Sequence, residues 1–335
     1  MRKNKFRKLL LLSGVLFLLI FTSTMFIGCG TTQKISSSGN NNQSAQNAEY
    51  FQFTIRVNAG NIFYLPTAQW LPDDGINTFD WIIDWGDGSE LETVSGVSND
   101  EVIHLYTKAG DYSIKIYYNG ENPPIDWLGA FGFGYSWDAL VNSTSNKQKL
   151  ISIDTPFPEG SRCITGYPYT FVECENLISV PENLFGSICN AVERVFEGTF
   201  SDCTSFNSPI KFPALPNATS RIFAYTFDFC RNFDSLVTFP SELPNATGYV
   251  FFYTFNNCNS FAQNVNELNV PTGDKMPNFT GPISYLFSNT KVTGSGLNLI
   301  NNSFFNISDT IPTSWHVFMN CTELSDYDDL PADWK

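Results

Sequence analysis

Residues Tyr225–Phe233 read YTFDFCRNF, and the chain writes this phrase repeatedly. Thr170–Leu177 is TFVECENL, Thr199–Phe206 TFSDCTSF, Thr254–Phe261 TFNNCNSF and Val317–Leu324 VFMNCTEL, with a degenerate copy, LFSNTKVT, at Leu286–Thr293. The anchors Cys174, Cys203, Cys230, Cys258, Thr290 and Cys321 are spaced by 29, 27, 28, 32 and 31 residues. Self-similarity at such a period predicts a solenoid, in which each unit buries its apolar edge only against its neighbours. Six units at the strand spacing give a stack about 30 Å long.

Within one unit, Phe227, Cys230 and Phe233 stand at i, i+3 and i+6, a spacing that lines one face of a short helix or turn. Ser235–Phe239 (SLVTF) is β-prone and stops at Pro240; Pro181, Pro209, Pro271 and Pro331 recur in the same role. The echoes LPNAT at Leu215 and Leu243 and MPNFT at Met276 show that the second half of the unit repeats as well. One repeat position holds five cysteines and one threonine, which predicts a buried ladder of small side chains rather than disulfides. Cys163 and Cys189 lie off the ladder and are the pair left to consider for bridging. The pattern F-x-x-C-x-x-L, strong at Phe171, Cys174 and Leu177 and their copies, resembles the leucine-rich repeats of the BspA type over about residues 149–335. Phe replaces Leu at many core positions, and the units are longer than is usual for that type. The resemblance implies a surface-attached protein engaged in attachment to host matrix proteins or other cells; it carries over no contact residue.

The N-terminus has a different character. Arg2, Lys3, Lys5, Arg7 and Lys8 precede the apolar run Leu9–Phe21, and Phe26-Ile27-Gly28-Cys29 follows, so residues 1–28 read as an export signal. The last four residues resemble a bacterial lipobox, which implies cleavage after Gly28 and lipidation (diacylglyceryl transfer and acylation) at Cys29. Several acyl chains make a stable membrane anchor where one would be marginal. Gly30 follows the Cys where an inner-membrane retention signal would place Asp. Residues 29–48, rich in Ser, Asn and Gln, read as a flexible tether. Cleavage would take five of the 19 basic residues and none of the 33 acidic ones, leaving 14 against 33, a net of −19. That balance excludes nucleic-acid binding and keeps the chain off anionic lipid.

Residues 49–120 read as all-β. Phe51, Phe53, Ile55 and Val57 alternate with polar neighbours, Phe79–Trp85 forms a second strand, and Val102–Tyr106 and Tyr112–Tyr118 follow. Asp84-Trp85-Gly86-Asp87-Gly88, His104-x-Tyr106 and Gly110-x-Tyr112 together resemble the PKD domain pattern, which implies an Ig-like β-sandwich. In such a fold Gly86 and Gly88 serve a tight turn, and His104, Tyr106 and Tyr112 pin strand to strand. Asp80, Asp84 and Asp87 without a further oxygen-rich loop are a poor calcium set, so no metal site is assigned.

Residues 121–150 form a connector in which Trp127, Phe131, Phe133, Tyr135 and Trp137 are separated largely by Gly: a cap on the first repeat, or an aromatic platform for sugar. From 151 to 335 the repeats run on. With two histidines in all, His104 in the sandwich motif and His316 before the last anchor, and with no nucleophile, zinc or phosphate motif, no catalytic residue and no cofactor are assigned. The acidic group Asp326, Asp328, Asp329 and Asp333 reads as a solvated end cap. The expectation is a mostly β chain: an Ig-like (PKD-type) β-sandwich followed by a leucine-rich-repeat solenoid with short helical turns. It would be held on the bacterial envelope by a lipid anchor, non-catalytic, and an adhesin or ligand-binding protein. The alternatives are an accessory glycan-binding lipoprotein and a structural envelope lipoprotein. A binding surface is expected between the copies, where their spacing varies.

Overall fold

Phe51, Phe53, Ile55 and Val57 all turn inward from β1 (Tyr50–Val57), as their alternation requires, and Gln52, Thr54 and Arg56 face outward. The computed structural model describes residues 49–67, 77–98, 100–134, 143–188, 190–268, 270–271, 275–279, 281–299 and 316–335. The export signal 1–28, Cys29 and the tether to 48 lie outside the described residues, as do Tyr135, Trp137 and Cys189. What is described is mostly β, with α-helix confined to the single turns α1 (Thr144–Lys147) and α2 (Gly296–Leu299).

After β1 come β2 (Asn61–Tyr64), β3 (Thr78–Asp84), β4 (Glu92–Val97), β5 (Ile103–Tyr106), β6 (Gly110–Tyr118) and β7 (Leu150–Ile153). Five of them form an antiparallel sheet in the order β4-β3-β6-β1-β7. The pair β2–β5 packs on it, with the Phe63 ring 6.2 Å from Phe53. Gly86 is required at the turn after β3: its φ is +76°, and a Cβ there would fall 2.3 Å from the Ser113 carbonyl oxygen.

β7 belongs to two assemblies at once. One edge pairs antiparallel with β1, Phe53 opposite Ile153. The other edge pairs parallel with the first repeat copy: Ser152 bridges Ser179, Ile178 N donates to Ile151 O at 2.9 Å, and Ile153 N donates to Ser179 O at 3.0 Å. The parallel row continues through β8 (Ile210–Lys211) and β9 (Val237–Thr238) to the Asn264–Thr293 bridge. Apolar packing crosses the same seam. Phe157 stacks on Phe51 at 4.2 Å and approaches Phe171 at 6.3 Å, so one buried core extends from the first sheet into the repeats.

The motif copies themselves correct the expectation of short helical turns. From Arg221 to Cys230 they are consecutive non-helical turns with two alternating sets of backbone bonds. Arg221, Phe223, Tyr225, Phe227 and Phe229 donate to Gly248, Val250, Phe252, Thr254 and Asn256 of the next copy at 2.8–3.0 Å. Ala224, Thr226, Asp228 and Cys230 donate three residues back within their own copy, at 3.0–3.3 Å. A helix would spend every N–H internally and leave none for a neighbour. The alternation is made by left-handed backbone at every fourth residue: Arg221 (φ 52°), Tyr225 (56°) and Phe229 (58°), repeated at Tyr249, Tyr253 and Asn257. Left-handed backbone at a non-glycine residue costs about 1–2 kcal/mol, so the cross-copy bonds and packing must offset it.

Packing follows the same period. Phe171, Phe200, Phe227, Phe255, Phe287 and Phe318 form one stacked file with centroids 5.4–5.7 Å apart, continued by Trp334 at 6.2 Å. Side-chain donors from one copy reach carbonyls of the copy before. Thr199, Thr226 and Thr254 donate to Tyr167, Phe196 and Phe223 at 2.7–2.9 Å. The Cys203, Cys230 and Cys258 thiols donate to Phe171, Phe200 and Phe227 at 2.9–3.0 Å, and Cys321 to Phe287 at 2.8 Å. The anchor cysteine is therefore a buried donor as well as a small apolar residue, which explains why a hydroxyl is tolerated at Thr290. All five ladder cysteines are free, and burial pushes their thiols up, Cys321 to about 11.

Two outcomes follow. In the native protein the five ladder thiols will be inert to a thiol reagent at pH 8 and all will titrate after denaturation; reaction of any of them at native conditions would refute the sealed ladder. Phe227→Ala will cost about 3–5 kcal/mol in denaturant unfolding, because Phe227 lies in ring contact with Phe200, Phe233 and Phe255.

Candidate functional site: the outward files of the turn row

Left-handed backbone throws the side chain away from the core, so the positions nine, five and one before each anchor form three outward files. The first holds Arg194, Arg221 and Tyr249, all with φ between 52° and 57°. The second holds Tyr169, Gly198, Tyr225, Tyr253, Tyr285 and His316; the third Glu173, Asp202, Phe229, Asn257, Asn289 and Asn320. Nearly all are partly exposed, whereas the residues between them are mostly buried.

In the middle file, Tyr225 stacks on Tyr253 at 5.2 Å, Tyr253 on Tyr285 at 4.4 Å, and Tyr285 meets His316 at 5.4 Å. The ring faces are thus largely covered by one another. Burial, then the neighbouring Tyr285, pushes the Tyr253 phenol up to about 12. In the third file the amides of Asn289 and Asn320 donate to Asn257 and Asn289 at 2.9 and 2.7 Å, forming a side-chain ladder.

Besides the Glu173 carboxylate, paired with Lys147 at 2.8 Å, this face holds a cluster of three charges. Glu197, 1% exposed, is bonded by Arg194 at 3.0 Å and Arg221 at 3.4 Å. Burial, followed by the Glu197 charge, raises the Tyr169 phenol beside it. The Arg221 guanidinium also lies 5.3 Å from the centre of the Tyr249 ring, which is 42% exposed and edge-to-face with Phe252 at 5.4 Å. In the next copy, the one that carries Arg221, Asp228 is a buried carboxyl accepting from Asn256 Nδ2 at 2.8 Å. Desolvation, with a further push from Asp202, raises it to about 7.

The residues singled out in the sequence are engaged elsewhere. Trp85 donates from Nε1 to Glu92 at 2.8 Å and accepts the Tyr106 hydroxyl at its carbonyl at 2.9 Å. His104 stacks on Trp85 at 4.7 Å and donates from Nε2 to Asp87 at 2.8 Å. Partial burial works against ionisation of Asp87, but the bonds from Ser89 and His104 win and lower it to about 2. Asp84 accepts from Gly86 N and Asp80 from the Asn119 amide, so each carboxylate closes a local turn or strand contact. Among the described residues no three His, Cys, Asp or Glu side chains are grouped as metal ligands.

In the connector, Trp127, Phe131 and Phe133 are buried, and Phe133 N donates to Thr170 O as a preceding copy would. Their faces are not open to a sugar. Trp127 also borders a shallow cavity of about 330 Å³ with Thr78, Phe79, Asp80, Ser95, Tyr118 and Pro124. His316 donates from Nδ1 to Lys335 O at 2.7 Å, and its backbone N–H to Asp333 O at 2.7 Å, so Asp333–Lys335 stands as a further copy against the sixth. Asp326 accepts from the Ser295 hydroxyl and the Gly296 and Leu297 N–H groups of α2, a structural role. Cys163 is disulfide-bonded, and Asn190 N donates to its carbonyl at 3.1 Å; its expected partner Cys189 lies outside the described residues.

The sequence points to a surface between the copies; these outward side chains come instead from the motif itself. Aligning the copies on their anchors would have found them: Tyr recurs five residues before Cys174, Cys230, Cys258 and Thr290. No protein-family model matches the chain, and it matches no curated protein and no solved structure.

The Asp228 carboxyl has a folded pKa above its unfolded value of 3.8. Its charged form is therefore penalised in the fold: the penalty is absent below about pH 4, grows through the interval, and is complete above about pH 7. Asp228→Asn will stabilise the protein by about 1–4 kcal/mol at pH 8 and leave it unchanged near pH 4, read by denaturant midpoints at the two pH values. Equal effects at both would show that the carboxyl is not the cause.

Proposed function

We propose that the chain is a non-catalytic lipoprotein of the bacterial cell surface that binds an external ligand through the outward files of its repeats. In this reading residues 1–28 are the signal peptide, Cys29 the lipidated anchor and 29–48 the tether. Residues 49–120 are a PKD-type, Ig-like sandwich, 121–150 cap the array, and 151–335 are a leucine-rich-repeat solenoid of BspA type. The observation that carries the reading is the separation of tasks within each copy. The core Phe stack and the buried Thr and Cys side-chain bonds use residues between the left-handed positions, so the outward side chains, which touch one another along their files, stay at the surface and can meet a ligand. A disulfide at Cys163 suits an oxidising, exported setting. The sealed ladder thiols are protected from joining it. Both histidines are held in packing contacts, which supports a binding role over a catalytic one.

Capture of glycan remains the reading nearest to this one, shifted from the connector aromatics to the turn face. Protease applied to intact cells will cleave the chain, and Cys29→Ala will release it from the membrane fraction. An array of matrix proteins and glycans will give a ligand whose binding falls in a Tyr225→Phe/Tyr253→Phe/Tyr285→Phe variant, which keeps the rings and removes the hydroxyls. A chain never cut from outside, binding nothing on the array, would leave the structural envelope role instead.

A further inference from the structure

Among the outward side chains, Arg221 is the one whose geometry specifies a ligand. Its flat guanidinium lies against the Tyr249 ring, with 5.3 Å from its central carbon to the ring centre. A cation–π contact of this kind consumes no N–H donor, and a guanidinium bonds a planar anion in bidentate fashion through the donors that remain. Glu197 occupies little of the Arg221 N–H fork: it takes Nη1 alone, at 3.4 Å, while Arg194 serves the same carboxylate more closely at 3.0 Å. Glu197 is therefore neutralised by Arg194, and Arg221, with 38% of its side chain exposed, is a second cation beside it. With Glu193 bridged to Ser220 beside Arg221, two arginines and two glutamates leave this patch near neutral on a chain of formal charge −14. An apolar margin adjoins it. Tyr249 is 42% exposed, and Phe252 stands edge-to-face with Tyr249, Tyr225 and Tyr253 at 4.5–5.6 Å.

We propose that Arg221, Tyr249 and Phe252 form a subsite for a carboxylate-bearing sugar, of the uronic or sialic acid class, at the end or branch of a glycan. The carboxylate lies on the Arg221 fork and the C–H face of the sugar against the exposed aromatic edge. This rests on the surface-binding reading and deepens it by naming the ligand chemistry. A single acidic residue also fits the overall charge better than a polyanion, which the acidic chain would repel.

The test is a titration of the full-length, detergent-solubilised protein with methyl glucuronide and with the methyl glycoside of N-acetylneuraminic acid, followed by saturation-transfer NMR and calorimetry. The methyl ester of each sugar serves as the uncharged control. At least one acid will bind saturably, its ester at least about tenfold more weakly, and Arg221→Gln will lower the affinity by about the same factor. Arg221→Lys will restore only part of it, because a point charge lacks the fork. The melting temperature of each variant, unchanged from wild type, will show that the loss is not unfolding. Equal binding of acid and ester, full binding by Arg221→Gln, or no saturable signal from either acid would each overturn the subsite. If Arg221→Gln still binds whatever ligand the broader array identifies, the subsite fails while the surface-binding reading stands.

Discussion

Each turn of the repeat must divide its backbone N–H groups between itself and its neighbour, and the rest of the structure depends on that division. Odd positions from Arg221 to Phe229 bond to the next copy, and Ala224, Thr226, Asp228 and Cys230 bond within their own. The division is possible because every fourth residue is left-handed. Without that conformation the segment would close on itself as a helix, with no donors facing along the stack. With it, copies are held at a strand-like separation, and side chains at equivalent positions are forced into register.

Register then decides what each position can hold. The Phe227 file is a continuous stack because flat rings tile at that separation. The anchor is small, buried and a donor: Cys230 and Cys258 donate to the Phe carbonyl three residues before the preceding anchor, and Thr290 satisfies its hydroxyl on Phe287 O of its own copy instead. The array is seeded by β7, whose two edges serve the antiparallel sheet and the parallel row together. An edge strand left open there would be an unpaired template, and the first repeat covers it.

The same constraint separates stability from recognition. Left-handed positions point outward and make little of the core, so the first file changes from Arg194 and Arg221 to Tyr249 without disturbing the stack. Charge beside this face is compensated around Glu197, and burial disfavours ionisation at Asp228. The side chains free to vary are thus those least committed to packing.

The period, the Phe and Cys positions and the alternation of β1 were legible in the chain itself, because burial imposes a chemical type at a fixed spacing and spacing survives in one dimension. So were the jobs of Gly86 and the binding of His104 and Tyr106 into one strand face. The turn conformation was not: Phe227, Cys230 and Phe233 at intervals of three fit a helix as well as a turn, and only the neighbouring copy decides which way an N–H points. Nor was the burial of Trp127, Phe131 and Phe133, whose composition suits an open platform and a core alike. The pairing of Arg221 with Tyr249 across 28 residues is likewise a product of stacking. By itself the sequence determined that copies repeat and which residues pack; the tertiary structure decided which side chains are left facing solvent, because exposure is a property of neighbours.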